Sequence, residues 1–251
     1  MRGRGRFKGL ILAAGKGRRL ASEPGPPMPK VLRPILGKPM VRYVVRALAD
    51  AGVDEIALVV GYQAEEVLRS LGDDFHYILQ PEQRGSGHAV ACAKEYYAGF
   101  SGHLVVMCGD SPLFRGETVR RMVNVHEAAG GTVTLVTATL DDPSGYGRIR
   151  TDWGGTIIGI VEDKCATENQ RGIREVNGGA YVFSAPWLFD IISQMALNEA
   201  GEYNLTDMVR IAVEQRRTIS TVECEPVELL GVNTPEQLVA VEGLLRGRGC
   251  E

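Results

Sequence analysis

Segments that read as buried strands alternate with amphipathic helices through the first half of the chain, and this alternation restricts the fold more than any other feature. Phe7 to Ala14, FKGLILAA, is a continuous run, apolar but for Lys8, entering a glycine-rich turn, the pattern of a strand covered on both faces. After a proline-rich loop, SEPGPPMPK, the spacing predicts a helix from about Pro39 to Ala51, with Pro39 suited to a first helical turn and Gly52 closing it. A strand over Glu55 to Gly61, a helix over Ala64 to Leu71 and a strand over Phe75 to Gln80 follow. Gly85-Ser86-Gly87 opens a helix to about Tyr97, and residues 103–110, HLVVMCGD, form a fourth strand. Such an order predicts an α/β fold of three layers around a mostly parallel sheet, with a binding crevice at the carboxyl ends of the strands.

The second half changes character. GTVTLVTATL, GRIRTD, TIIGIVED and EVNGGAYVF are strand-like and follow one another across short turns, which predicts a mixed extension of the sheet forming a lid or wall for a second ligand. Helices return near Pro186 to Met195 and Asn204 to Glu214, then a strand, TISTVEC, and a last helix after Thr234, over 235–246. No internal repeat or linker divides the chain, so it reads as one domain, 1–251, with lobes at about 7–115 and 130–233.

Composition removes several classes of function. Lys and Arg number 28 against 31 Asp and Glu, a formal charge of −3, which argues against a dedicated nucleic-acid binder. The arginine-glycine start and the RGRGC end read as solvated tails. Apolar stretches fall short of the ~20 residues a membrane span requires, and the basic start lacks the apolar run of a secretory signal. Five cysteines without close pairs fit neither a zinc ribbon nor a disulfide framework, so a cytoplasmic protein with reduced thiols is expected.

The turn after the first strand, Ala13-Ala14-Gly15-Lys16-Gly17-Arg18-Arg19, can aim backbone amides at a phosphate. It is not a P-loop, because Gly17 rather than Ser or Thr follows Lys16, and it is not a dinucleotide turn, because Leu20 holds the third glycine position. Small residues with three cations, and Lys30 beyond the prolines, suit a triphosphate; a tight solvent turn with surface charges fits the same residues.

LAAGKG-x-R…PK at Leu12 to Lys30 resembles the signature of the sugar-phosphate nucleotidyltransferases. The resemblance continues through LGKPM at Leu36 to Met40, QPEQRGSGHA at Gln80 to Ala89, GDSPL at Gly109 to Leu113 and DDPSGYGRI at Asp141 to Ile149. IVEDKxAT from Ile160, EVNGG from Glu175, GEYNLTD from Gly201 and GVNT at Gly231 to Thr234 complete an ordered set over nearly the whole chain. Within the family the chain is most similar to the uridylyltransferase half of the bacterial bifunctional N-acetylglucosamine-1-phosphate enzymes. Nothing after Asn233 resembles the hexapeptide repeats of their acetyltransferase half, so acetyl transfer is expected to be absent.

The resemblance implies a Rossmann-like three-layer nucleotidyltransferase fold and the attack of a sugar 1-phosphate on the α-phosphorus of a nucleoside triphosphate, releasing pyrophosphate. UTP and N-acetylglucosamine 1-phosphate are the implied substrates, with no nucleic-acid or membrane partner. dTTP, glucose 1-phosphate, or a non-catalytic nucleotide-sugar sensor are the alternatives. Arg19, Lys30 and Asp110 are the implied catalytic residues, Lys30 toward the sugar phosphate and Arg19 toward the leaving pyrophosphate. Leu12, Ala13, Ala14, Gly15, Gln80, Gly85, Ser86 and Gly109 are implied to bind the nucleotide, and Gly147, Glu162 and Asn177 the sugar. Asp110 and Asn233 are implied to hold Mg²⁺, an ion that takes one or two protein oxygens and completes its shell with phosphate and water.

Blander readings compete at each position. Asp110 suits a turn before Pro112, Asn233 a helix cap, Lys30 and Arg19 a solvated basic face, and Gln80 a loop cap. Glu162 could pair with Lys164, and Tyr203 either closes the sugar pocket or packs. Arg18, Cys108, Cys165 and Gly178 replace a threonine, a tyrosine, an aspartate and a threonine usual in the family. With the longer loop before Lys30, they bear on triphosphate handling and sugar choice.

Overall fold

The computed structural model describes residues 6–17, 20, 28–53, 55–198 and 201–249. Its first elements are β1 (Phe7–Leu12), a two-residue hairpin of β2 (Pro34–Ile35) and β3 (Lys38–Pro39), α1 (Met40–Asp50), β4 (Ile56–Val60) and α2 (Ala64–Leu71). Next come β5 (His76–Leu79), α3 (Ser86–Ala91), β6 (His103–Cys108), α4 (Gly116–Ala128), β7 (Val133–Thr139), β8 (Arg148–Thr151) and β9 (Ile157–Val161). The remainder is α5 (Glu168–Arg171), β10 (Glu175–Ser184), α6 (Ala185–Ile191), α7 (Asp207–Glu214), β11 (Ile219–Glu223) and α8 (Pro235–Gly247).

One mixed sheet runs β11-β7-β10-β6-β1-β4-β5, with the β8–β9 hairpin branching from β10. β1, β4, β5 and β6 are mutually parallel, and β10 lies antiparallel between β6 and β7. The unbroken apolar runs follow from this layering, since alternate residues of each central strand enter different cores. Ile11, Leu58, Val105 and Met107 pack with Val44 and Leu48 of α1, Val67 of α2 and Met122 of α4. Leu10, Val59, Leu104 and Val106 pack with Val90 of α3, Leu188 of α6 and Met208 of α7. Helices therefore cover both faces, as the alternation predicts.

Two differences from the sequence reading have physical causes. The helix expected to run to Tyr97 ends at Ala91 and continues as tight turns, such as Lys94 N to Ala91 O at 3.1 Å. Those turns bring the Tyr97 hydroxyl to the Gly9 carbonyl at 3.1 Å and its ring against Phe189. α4 was not anticipated; its inward face mixes Val119, Met122 and Val123 with buried Thr118 and His126, which blurs the apolar stripe. In the second half, β7, β10 and β11 extend the main sheet, as the run of strand-like segments predicts, and the β8–β9 hairpin branches from β10.

Candidate active site

The parallel strands all end at one edge, and the polar residues singled out in the sequence collect there. Asp110 lies just beyond β6, and Lys30 opens a short 3-10 turn over Lys30–Leu32. The Lys30 ammonium donates to Asp110 Oδ2 and to Asn233 Oδ1, the latter at 2.8 Å. Lys30 keeps 10% of its side-chain exposure, so it is not part of a solvated basic face. Two glycines permit this approach: a Cβ on Gly17 (φ +58°) would lie 2.7 Å from Lys30 Cβ, and one on Gly109 would lie 3.0 Å from Val31. Gly109 N also donates to Leu12 O at 2.9 Å, fixing the exit of β6 against that of β1.

The cap alternatives resolve locally. Thr234 caps α8, accepting from Gln237 N while Gln237 Oε1 accepts from Thr234 N, a full capping box. Asn233 therefore turns its carbonyl to Lys30 rather than to the helix. Val232 N donates to Asp110 O at 2.9 Å and so ties the two chain segments together beside the side-chain cluster. Arg19, the remaining implied catalytic residue, lies outside the described residues.

Asp110 Oδ2 and Asn233 Oδ1 converge on one cationic point, the Lys30 ammonium. A carboxylate and an amide carbonyl so directed suit a hard divalent cation that draws its other ligands from phosphate and water. Among the described residues no group of three or more His, Cys, Asp and Glu is placed to hold a metal. Burial, and secondarily the Asp110 carboxylate, push the Cys108 thiol up to about 12, which keeps it neutral beside this cluster.

Next to it, Ala14, Gly61, Gln80 and Gln83 meet: a Cβ on Gly61 would lie 3.0 Å from Ala14 Cβ and 2.8 Å from Gln83 Nε2. Gln80 is 3% exposed, and its Nε2 lies 3.1 Å from both Gly85 O and His88 Nδ1. The acceptor-only Gly85 carbonyl fixes which end of the amide is nitrogen. That half of the amide serves the loop, in line with the cap reading, and Oε1 takes no protein donor among the described residues. Gly85 (φ +96°) is a close approach, since a Cβ there would lie 2.4 Å from Tyr203 O. Gly87 N donates to Tyr203 O, Tyr203 N to Arg84 O and Leu205 N to Ser86 Oγ, at 2.8, 2.8 and 3.0 Å. The Ser86 hydroxyl and the Tyr203 backbone thus zip this loop to the segment before α7, and the Tyr203 ring lies under the Arg84 guanidinium at 5.2 Å.

Gly147, Glu162 and Asn177 also come together. A Cβ on Gly147 would lie 2.9 Å from Ile160 Cγ2 and 3.7 Å from both Asn177 Cβ and Glu162 Oε2, so glycine lets this backbone pass close to Ile160 with an amide and a carboxylate beside it. Glu162 Oε1 accepts from Thr206 Oγ1 at 2.8 Å, and among the described residues no ion pair joins it to Lys164. Asn177 Nδ2 donates to the Tyr181 hydroxyl at 2.7 Å. Burial raises the Tyr181 pKa strongly, which keeps that phenol protonated. Thr206 and Tyr181 were missed as site residues, although Thr206 stands inside the GEYNLTD motif. Behind the cluster, buried Arg148 bridges Tyr146 O and, at 2.8 Å, Asp163 Oδ1, and so fixes the β8–β9 hairpin. A Cβ on Gly178 would lie 2.6 Å from both Leu229 Cδ2 and Val136 Cγ1, so that position points into the core.

A Nucleotidyl transferase family model matches residues 8–224, and the chain belongs to that family; it is a nucleotidyltransferase enzyme. The bifunctional protein GlmU of Pelotomaculum thermopropionicum is 43% identical over 244 residues, covering 96% of this chain and 52% of that protein. The chain spans about half the length of the curated relatives it matches. A Bacillus anthracis structure bearing the name glucose-1-phosphate thymidylyltransferase, solved with sucrose, superposes with a TM-score of 0.77 at 22% identity, covering 96% of this chain and 95% of that one. A UDP-glucose pyrophosphorylase complexed with UDP-glucose gives 0.74 at 20% identity, covering 96% and 98%. These two structures share the Rossmann-like fold described above.

Proposed function

We propose that the protein transfers a uridylyl group from UTP to a sugar 1-phosphate, N-acetylglucosamine 1-phosphate first among the candidates, in the presence of Mg²⁺. The observation that carries this reading is the convergence of Lys30, Asp110 and Asn233 at the carboxyl ends of the parallel strands, with the Gly147–Glu162–Asn177 cluster on the antiparallel neighbour β10 and its branch. Similarity to the GlmU proteins supports the choice of sugar and base.

In this mechanism a phosphate oxygen of the sugar 1-phosphate bonds to the α-phosphorus of UTP as the bond to the pyrophosphate oxygen breaks. Both reactants are anions, so positioning and electrostatics carry the catalysis and no covalent enzyme intermediate is required. Asp110 and Asn233 would hold the Mg²⁺, which when bound neutralises phosphate charge and orients the reacting oxygens. Lys30, within reach of the same point, screens the repulsion between the two anions. Gly15 to Gly17 offer backbone to the triphosphate, and Arg19 is proposed to meet the leaving pyrophosphate. Gln80 Oε1 is an acceptor for a base that presents a ring N–H, which favours uracil or thymine over cytosine. Glu162 and Asn177 take sugar hydroxyl or amide groups beside Gly147.

Pyrophosphate release with Mg²⁺, measured across UTP, dTTP, CTP, GTP and ATP against several sugar 1-phosphates, tests the proposal. The strongest turnover is expected with UTP and N-acetylglucosamine 1-phosphate. A strong cell elsewhere replaces the specificity, and no turnover from folded protein that still binds nucleotide sugars makes it a sensor.

A further inference from the structure

Glu228 is a carboxylate with 2% exposure, buried among Cys224, Leu229 and the start of α4, and none of the chemistry above uses it. Its Oε2 accepts from Arg115 N at 2.9 Å and its Oε1 from Thr118 Oγ1 at 3.0 Å. α4 has no cap from the Arg115 side chain, so Glu228 supplies one from a distant part of the chain. Burying a carboxylate against an amide and a hydroxyl is expensive compared with an apolar side chain of the same size, which suggests a geometric role.

That role emerges from the second contact between the same two segments. Val232 N bonds to Asp110 O at 2.9 Å. As one segment runs from Asp110 to Arg115, the other runs back from Val232 to Glu228, and the pair is fastened at each end. Between the fastenings Leu113 and Val232 share one apolar cluster with Leu230 packed against it. Asp110 and Asn233 stand at one end of this clamp, and Glu228 is the fastening at the other. A second tie reaches the sugar side, because Tyr146 OH donates to Leu229 O at 3.1 Å and Leu229 packs over Gly178.

We infer that Glu228 is a positioning residue that sets the separation of Asp110 and Asn233, an inference that rests on the proposed metal role of that pair. The experiment compares the full chain with Glu228→Gln, Thr118→Val and Asn233→Ala. Its readouts are the half-saturating Mg²⁺ concentration, the KM for sugar 1-phosphate, melting temperature, and amide exchange at Val232 relative to Ile56–Val60 of β4. Glu228→Gln is expected to raise half-saturating Mg²⁺ about tenfold, the scale of outer partners of metal ligands, while the sugar-phosphate KM stays within about twofold. Val232 exchange should accelerate while β4 does not. Thr118→Val, which keeps the Arg115 contact, should shift the same quantities less, and it carries the test if Glu228→Gln does not fold. A lowered melting temperature with Val232 exchange and Mg²⁺ requirement unchanged makes Glu228 a structural cap and overturns the inference. If Asn233→Ala leaves the Mg²⁺ requirement untouched, the metal reading fails instead, and Val232 exchange still decides whether Glu228 fastens the clamp.

Discussion

β6 carries two contrasting ends. Just past its carboxyl end, Asp110, Lys30 and Asn233 gather charge in a place where Asp110 keeps 26% of its side-chain exposure. At its amino end, His103 Nδ1 lies 3.0 Å from His126 Nε2, His126 Nδ1 lies 2.9 Å from Thr134 Oγ1, and Phe7 stacks on His103. There burial drives both imidazoles toward the neutral form, His126 down to about 3. One strand thus separates a charged end that remains open to ligands from an end where two imidazoles are held neutral beneath the exposed Arg6–Glu127 pair. The difference teaches that charge is tolerated where a ligand or solvent can answer it, and is suppressed where only packing can.

Removing charge from the open end should have the largest effect. Asp110→Asn is expected to cut kcat by about 100- to 1,000-fold, the scale of losing a preorganised electrostatic contact to the reacting centre. Circular dichroism and melting temperature should remain near those of the parent, since Asp110 contributes no core packing. Near-parental kcat with Mg²⁺ would remove it from the chemistry. Lys30→Met should fall only slightly short of this in kcat, and because it removes the ammonium from between the Asp110 and Asn233 oxygens, its signature is a loss that added Mg²⁺ does not restore.

At the sealed end the expected effect is on stability rather than turnover. Unfolded, His126 has an ordinary imidazole affinity near 6.5; folded, it stays neutral to about pH 3, burial being the largest cause and neighbouring His103 and Arg6 adding to it. Between those values the unfolded chain binds a proton that the folded chain does not, so stability is fully present above about pH 6.5 and falls as pH drops toward 3. His103, lowered in the same direction, steepens the fall. Urea unfolding from pH 7.5 to 5 should show His126→Gln less acid-sensitive than the parent, even if less stable at pH 7.5. Equal slopes would mean that the imidazole pair does not set acid stability.

Much of the open end was legible because its residues lie at strand exits flagged by local pattern. Asp110 after HLVVMCG and the small residues after FKGLIL announce the carboxyl edge of a parallel sheet. The cap that the sequence reading offered at Asn233 falls on Thr234 instead: Thr234-Pro235-Glu236-Gln237 is a capping box, a local signal that the reading passed over. The sealed end was not legible. His103 and His126 lie 23 residues apart and meet only because α4 lies across the sheet, and α4 itself is obscured by the polar residues it buries. Glu228 and Thr206 share that difficulty, since nothing local marks a carboxylate whose partner stands far away in sequence. Lys30 was placed by resemblance, whereas its burial against Gly17 is a tertiary fact.

The sugar cluster lies between these extremes, and two substitutions grade it. Asn177→Ala removes the amide that donates to the Tyr181 hydroxyl and accepts from Gly179 N beside Gly147, and it should raise the sugar-phosphate KM about tenfold, the worth of one well-placed hydrogen bond. The KM for UTP should be little changed, and an unchanged sugar-phosphate KM would make Asn177 a partner of Tyr181 alone.

The smallest effect is expected from Thr206→Val. The substitution keeps shape but removes the hydroxyl that holds Glu162 Oε1 at 2.8 Å. Glu162 retains its charge and its place at the start of the 3-10 turn over Asp163–Cys165, and Arg148 still anchors the neighbouring Asp163. The carboxylate therefore loses orientation rather than position, which should raise the sugar-phosphate KM about threefold, less than a full hydrogen bond to ligand. Thr206→Ser, which restores the hydroxyl, should recover most of that loss. If Thr206→Val instead matches Asn177→Ala in size, Thr206 touches the sugar itself and the boundary of the open end moves outward to α7.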